Sequence, residues 1–156
     1  MVKIDAIDSK ILELLQINSN RGVKELAFEV GLSATPVYER IKRLEKNEII
    51  KRYTIELNKE KVGLDLTVFC QVSLQTHSKS LIERFETAVK LMNEVIEVFH
   101  ISGEFDYLLK VVCLNNKQYH DFLVHKLSKL EMVAKVQSNF VMYEIKEHTF
   151  YKINQQ

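Results

Sequence analysis

Apolar residues recur at helical spacing three times in the first fifty positions. Ile7, Ile11, Leu12, Leu14 and Leu15 form the first stripe, with Asp5 placed to cap its start. Asn18-Ser19-Asn20-Arg21-Gly22 reads as a loop. Val23 to Val30 repeats the pattern with Leu26, Ala27 and Val30 apolar, and Gly31 supplies the positive φ that ends a helix. Ser33 is the cap candidate for a third helix that runs to about Lys46, with Pro36 in its first turn. Two helices joined by a short glycine-containing turn predict a helix-turn-helix.

Further along, the period changes. Ile49 to Leu57 is rich in β-branched residues and predicts a short hairpin or extended wing touching phosphates, or else a bare linker strand. Asn58 to Asp65 is charged, contains Gly63, and marks a boundary. Beyond it come a strand over Thr67–Leu74, a helix over Ser80–Met92, strands over Val95–Ile101 and Tyr107–Leu114, a helix over Lys117–Leu130 and a long strand over Val133–Ile145. That βαββαβ order is the ferredoxin-like split motif, with helices on one sheet face and the other face left to find a partner. The expected class is α+β: an N-terminal winged helix-turn-helix over residues 1–57, a linker over 58–66, and a ferredoxin-like domain over 67–156.

Charge sharpens the picture. Twenty-two basic and 21 acidic residues leave a net +1, yet residues 40–52 hold six basic side chains against two acidic ones. On a chain whose residues 61–156 sum to zero, this patch points either to an anionic partner such as nucleic acid or to a solvated helix face. At 100° per residue, Val37, Ile41 and Leu44 share one side of the third helix. Thr35, Glu39, Lys42 and Lys46 lie nearly opposite, with Arg43 beside them and Arg40 nearer the apolar edge. One side packs; the other offers hydroxyl, carboxylate and cationic groups.

Other classes fare poorly. No apolar run nears the ~18–20 residues of a membrane span, and the first residues lack the apolar core of a secretory signal, so a cytoplasmic protein is expected. Cys70 and Cys113 fit no disulfide or zinc pattern and read as inert core thiols, while His120 and His125, five apart, do not share a helical face. No nucleophile–base motif, phosphate loop or zinc spacing occurs, so no enzyme, metal or cofactor is expected.

The stretches Val30-Gly31-Leu32-Ser33-Ala34-Thr35-Pro36, Glu39-Arg40-Ile41-Lys42-Arg43-Leu44-Glu45 and Ser102-Gly103-Glu104-Phe105-Asp106-Tyr107-Leu108-Leu109 resemble the leucine-responsive and asparagine regulators, the Lrp/AsnC family of transcription factors. The resemblance covers nearly the whole chain. It implies double-stranded DNA as partner, a homodimer that assembles further to an octamer, and a small amino-acid effector bound between C-terminal domains. The third helix is then the one that enters the major groove. Lys42, Arg43 and Lys46 would contact phosphate or guanine, and Ser33 and Thr35 would make short hydrogen bonds. Pro36, Glu39 and the wing residues Lys51 and Arg52 complete the DNA face. Arg40 is open between phosphate and an intramolecular ion pair. The family's effector pocket corresponds to Gly103, Phe105 and Asp106, with Val136, Gln137 and Ser138 facing them and His100 at the border. Asp106 would pair with the effector's ammonium; taken by itself, the aspartate equally suits stabilising its own turn. Glu48 stands where many members end the recognition helix with glycine, so Asn47 is expected to take the left-handed conformation there. An architectural DNA-binding protein without an effector is the alternative function.

Overall fold

Asp5 and Asp8 lock the start of the first helix. The Asp8 backbone N–H donates to Asp5 Oδ1 at 2.8 Å and the Asp5 N–H donates back to Asp8 Oδ2 at 3.2 Å, a reciprocal capping box. The computed structural model describes residues 3–146 and 151–153; the ends of the expected N- and C-terminal domains at 1–2, 147–150 and 154–156 lie outside the described residues. The chain divides into two compact units, residues 1–56 with 146–156 and Leu57–Ile145.

The first unit holds α1 (Ala6–Ile17), α2 (Val23–Val30) and α3 (Ala34–Lys46). Ile11, Leu26, Val37 and Leu44 are all fully buried, and removing such side chains from water contributes about 1.5–3 kcal/mol each. Gly31 ends α2 at φ 67°, and the Leu32 N–H donates to the Ala27 carbonyl at 3.0 Å to close the turn. Ser33 sits at the N-cap of α3 as expected, but its hydroxyl makes no cap bond. Pro36 occupies the third helical position and has no N–H to give. Tyr151 is tied to α1 by a pair of bonds with the Gln16 side chain, at 2.7 and 3.1 Å.

The end of α3 corrects one expectation. Asn47 is not left-handed, at φ −92°; Glu48 is, at φ 56°. The Asn47 side-chain amide donates to the Arg43 carbonyl at 2.7 Å and keeps that residue in the last turn. The reversal therefore falls one residue later, where the Ile49 N–H returns to the Leu44 carbonyl at 3.0 Å. Residues 51–58 carry neither helix nor strand ladder, so the hairpin form of the wing is not made. A 3-10 turn, Glu60–Val62, follows.

The second unit contains β1 (Leu66–Leu74), α4 (Lys79–Lys90), β2 (Val95–His100), β3 (Tyr107–Cys113), α5 (Asn116–His125) and β4 (Val133–Phe140), with a 3-10 turn Leu127–Lys129 after α5. The sheet is antiparallel in the order β2-β3-β1-β4. The last strand stops at Phe140 instead of reaching Ile145. Phe140 already pairs with Val68, and one more bond, from the Val141 N–H to the Thr67 carbonyl, uses up the partner strand. Alternate residues Val68, Cys70, Val72, Leu109, Val111 and Cys113 are buried with Phe85 and Val89 of α4 and Tyr119 and Phe122 of α5. The helices thus cover one face. On the other face the register sets Leu108 opposite Phe99, and Gln71 opposite both Leu108 and Gln137.

Candidate DNA-binding and effector sites

Within the first unit, α3 buries Val37, Ile41 and Leu44 and exposes Thr35, Tyr38, Glu39, Lys42, Arg43 and Lys46. Its cations are not equivalent. Arg40 donates to Asp5 Oδ2 at 2.6 Å and Asp8 Oδ1 at 2.8 Å, and Arg43 is hydrogen-bonded to Asp8 Oδ2. The intramolecular partner open to Arg40 is therefore formed, and Arg43, expected as a free cation, shares it. Asp8 is fully buried, so its charge is compensated, among the described residues, by these guanidinium groups and the Asp5 N–H. The Asp8 N–H, then Arg40, hold the Asp5 carboxyl below its ordinary value, and Asp5 and Asp8 raise Arg40 in turn.

The other flank differs. Lys42 pairs with Glu45 at 2.7 Å, and its ammonium lies 5.6 Å from the centre of the Tyr38 ring. The Tyr53 hydroxyl donates to Glu45 at 2.9 Å; burial, then Glu45, push that phenol up to about 12. Lys46, Lys51 and Arg52 are exposed, with no ion pair to another described residue. Tyr38 was missed by charge reasoning. Its signal is an aromatic four residues before a lysine on a helix, 51% exposed beside a buried Val37.

Within the second unit, the turn between β2 and β3 is built on Gly103 at φ 136°, backbone that L side chains rarely adopt. Asp106 accepts from the Leu74 N–H at 2.7 Å and from His77 Nε2 at 2.7 Å. The Leu74 N–H and then His77 hold its carboxyl low, a direction that outweighs burial. Phe105 is buried beneath Lys135, whose ammonium sits 4.8 Å over the ring and pairs with Glu104 at 2.8 Å. Across the hairpin, His100 stacks on Tyr107 at 4.8 Å. Sequence reasoning missed His77 and Lys135. Lys135 is adjacent to an expected site residue, but nothing in the sequence ties the loop residue His77 to Asp106.

One expectation fails geometrically. Val136, Gln137 and Ser138 cannot face the turn together, because successive strand residues point to opposite faces. Val136 packs on the helix-side core and Ser138 hydrogen-bonds Tyr119, which also contacts Cys70 Sγ at 3.2 Å. Gln137 points to the open face, beside Asn139 and Gln71. Burial pushes the Cys70 thiol up and the Cys113 thiol up to about 11, so both stay protonated near neutral pH and unreactive. Among the described residues there is no cluster of three or more metal-ligating side chains, and no helix is long and apolar enough to cross a membrane.

Comparison with known proteins matches residues 4–45 to the AsnC-type helix-turn-helix domain and residues 67–150 to the Lrp/AsnC ligand binding domain. The chain is 37% identical over 146 residues to the DNA-binding transcriptional activator DecR of Escherichia coli, covering 94% of this chain and 96% of that one. It is 37% identical over 147 residues to the leucine-responsive regulatory protein of Haemophilus influenzae, covering 94% and 89%. A transcriptional regulator from Neisseria meningitidis, solved as an L-Met complex, superposes with a TM-score of 0.89 at 36% identity, covering 93% and 94%.

Proposed function

Because the chain belongs to the Lrp/AsnC family and is a DNA-binding transcription regulator, we propose that α3 enters the major groove and that a small amino acid bound at the glycine turn tunes the binding. Exposed Thr35, Glu39, Lys42 and Lys46, opposite a buried apolar stripe, support the DNA face. Ser33 and Pro36 sit at its leading end, and the hydroxyl of Ser33 is unspent because Pro36 has no N–H to offer it. Lys46, Lys51 and Arg52 supply phosphate contacts, which set affinity and salt dependence, while base contacts from Lys42, Glu39 and Thr35 specify sequence. Arg40 and Arg43 mainly brace α3 against α1.

The effector reading rests on the relative that carries L-Met and on the chemistry of the turn. Gly103 lets the backbone approach a carboxylate. Asp106 exchanges His77 for the ligand's ammonium, and Phe105 with Lys135 borders the side-chain region. Gln137 reaches the pocket from the open sheet face; Val136 and Ser138 support it from behind. His100, stacked on Tyr107, borders the pocket. The protein acts in the cytoplasm as a homodimer formed through the open sheet face, assembling to an octamer that completes the pocket, and it catalyses no reaction.

The test is fluorescence anisotropy of a labelled fragment from upstream of the protein's own gene, with and without each of the twenty amino acids. A several-fold shift with one or two of them, lost in Asp106→Asn while DNA binding persists, is the expected result. DNA binding indifferent to all twenty sinks the effector and leaves an architectural protein.

A further inference from the structure

Glu45 stands where helix physics disfavours a carboxylate. It lies in the last turn of α3, where the unsatisfied carbonyls repel negative charge. It also follows Lys42 instead of preceding it, the weaker order for a helical ion pair. Even so, both of its oxygens are engaged: Lys42 donates to Oε2 at 2.7 Å and the Tyr53 hydroxyl donates to Oε1 at 2.9 Å. The Lys42 hydrogen bond, then the one from Tyr53, keep the Glu45 carboxyl below its ordinary value, and Glu45 raises Lys42 in turn. The Glu45 side chain is 28% exposed against 54% for Lys42, so the carboxylate is the enclosed member and the ammonium is still open to a ligand. Tyr38, one turn before Lys42, completes the cradle with its ring centre 5.6 Å from that ammonium.

We infer that Glu45, anchored by Tyr53, is a positioning residue that makes Lys42 a reader of base edges and not a general phosphate contact. An ammonium has three N–H donors, and Glu45 takes one of them. A phosphate that approaches Lys42 also meets the fixed carboxylate beside it, and the repulsion offsets much of the attraction. A guanine edge offers O6 and N7, which are neutral acceptors. The remaining donors of Lys42 can reach these without bringing a like charge against Glu45.

Lys46 is under no such restriction, because it is exposed and has no ion pair to another described residue. The two lysines of α3 therefore divide the work: Lys46 adds affinity for any duplex and Lys42 discriminates between sequences. An exposed ion pair shifts a balance of this kind by about two- to five-fold, which sets the size of the expected effect. The hold from Tyr53, which lies beyond the end of α3, keeps the carboxylate from swinging away when DNA approaches.

This inference rests on α3 being the DNA face. The measurement is the affinity of the full chain, across a salt series, for a duplex that the wild-type protein selects from a random pool and for an unselected random duplex. Glu45→Gln keeps the side-chain shape and removes the charge. It should steepen log K against log salt by about 0.9, one added phosphate contact, and cut the preference for the selected duplex about two- to five-fold. Lys42→Ala should leave the slope alone and lose a guanine preference on reselection. The double variant, Glu45→Gln with Lys42→Ala, should return to the wild-type slope. Tyr53→Phe, which keeps the ring and loses the hydroxyl, should steepen the slope part of the way. A slope unmoved by Glu45→Gln or by Tyr53→Phe, one flattened by Lys42→Ala alone, or one still steep in the double variant overturns the inference. Lys46→Ala distinguishes that failure from failure of the DNA face: a slope flattened by Lys46→Ala leaves the face standing, whereas binding indifferent to every one of these variants removes both.

Discussion

Asp8 in α1 and Arg40 in α3 are joined by a 2.8 Å hydrogen bond, although the aspartate is fully buried and the arginine lies on the helix proposed to bind DNA. Arg43 binds the same carboxylate from one turn further on. Much of the basic density that marks α3 in the sequence is therefore neutralised inside the unit. These pairs tie α3 to α1.

Asp8→Ala leaves Arg43 without a counter-charge and Arg40 with Asp5 alone. Stranding a buried charge costs about 3–5 kcal/mol; here the buried member is the one removed, and the partial exposure of Arg40 and Arg43 puts this case below that range. Thermal unfolding should show the first unit melting well before the second. Coincident melting at an unchanged temperature would mean that the ion pairs contribute nothing.

Acid should act on the same place. The folded-state pKa of Asp5 lies below its ordinary value of 3.8. Its stabilising contribution is thus present above that value and is lost as pH falls through it toward the lowered folded-state pKa. Asp106, lowered likewise, adds the same sign in the second unit. Unfolding by urea between pH 5 and 2.5 should show stability falling in that window, with a shallower fall in Asp5→Asn. An equally steep fall in that variant removes Asp5 from the account.

Glu48 at φ 56° is a side chain held where glycine is at ease. Left-handed backbone costs a non-glycine residue about 1–3 kcal/mol, partly offset in the unfolded chain when glycine replaces it. Glu48→Gly should raise stability by about 1 kcal/mol, read as a higher urea midpoint at constant slope. A lower midpoint would mean that the Glu48 side chain has a role that the strain does not reveal.

The division among the cations of α3 and of the segment after it predicts different salt behaviour. Lys46→Ala and Arg52→Ala should each reduce the slope of log K against log salt by about 0.9, one phosphate contact apiece. Arg40→Ala should weaken binding through lost stability while keeping the slope. A slope reduced by Arg40→Ala and untouched by Lys46→Ala would invert the assignment.

Local order fixed the helices and most strand positions: the stripe of Ile7, Ile11 and Leu14, the glycine at 31 and the alternation of Val68, Cys70 and Val72 each specify period and face without help from distant residues. The turn at Gly103 and the exposed row of α3 were legible for the same reason. What the sequence did not carry were meetings between residues far apart in the chain. Asp8 reaching Arg40 and Arg43, His77 reaching Asp106, and Lys135 lying over Phe105 are set by how helices cross and strands order. Charge counting treats Arg43 as free and leaves Arg40 open because it cannot see α1 beside them. The shorter last strand and the unpaired segment after α3 have the same origin: β-propensity supplies the candidate strand, but only a neighbouring edge supplies its hydrogen bonds. The sequence by itself determined the elements and the faces they bury; the tertiary structure decided which charged groups remain available to a partner, because ion pairing depends on distance in space and not along the chain.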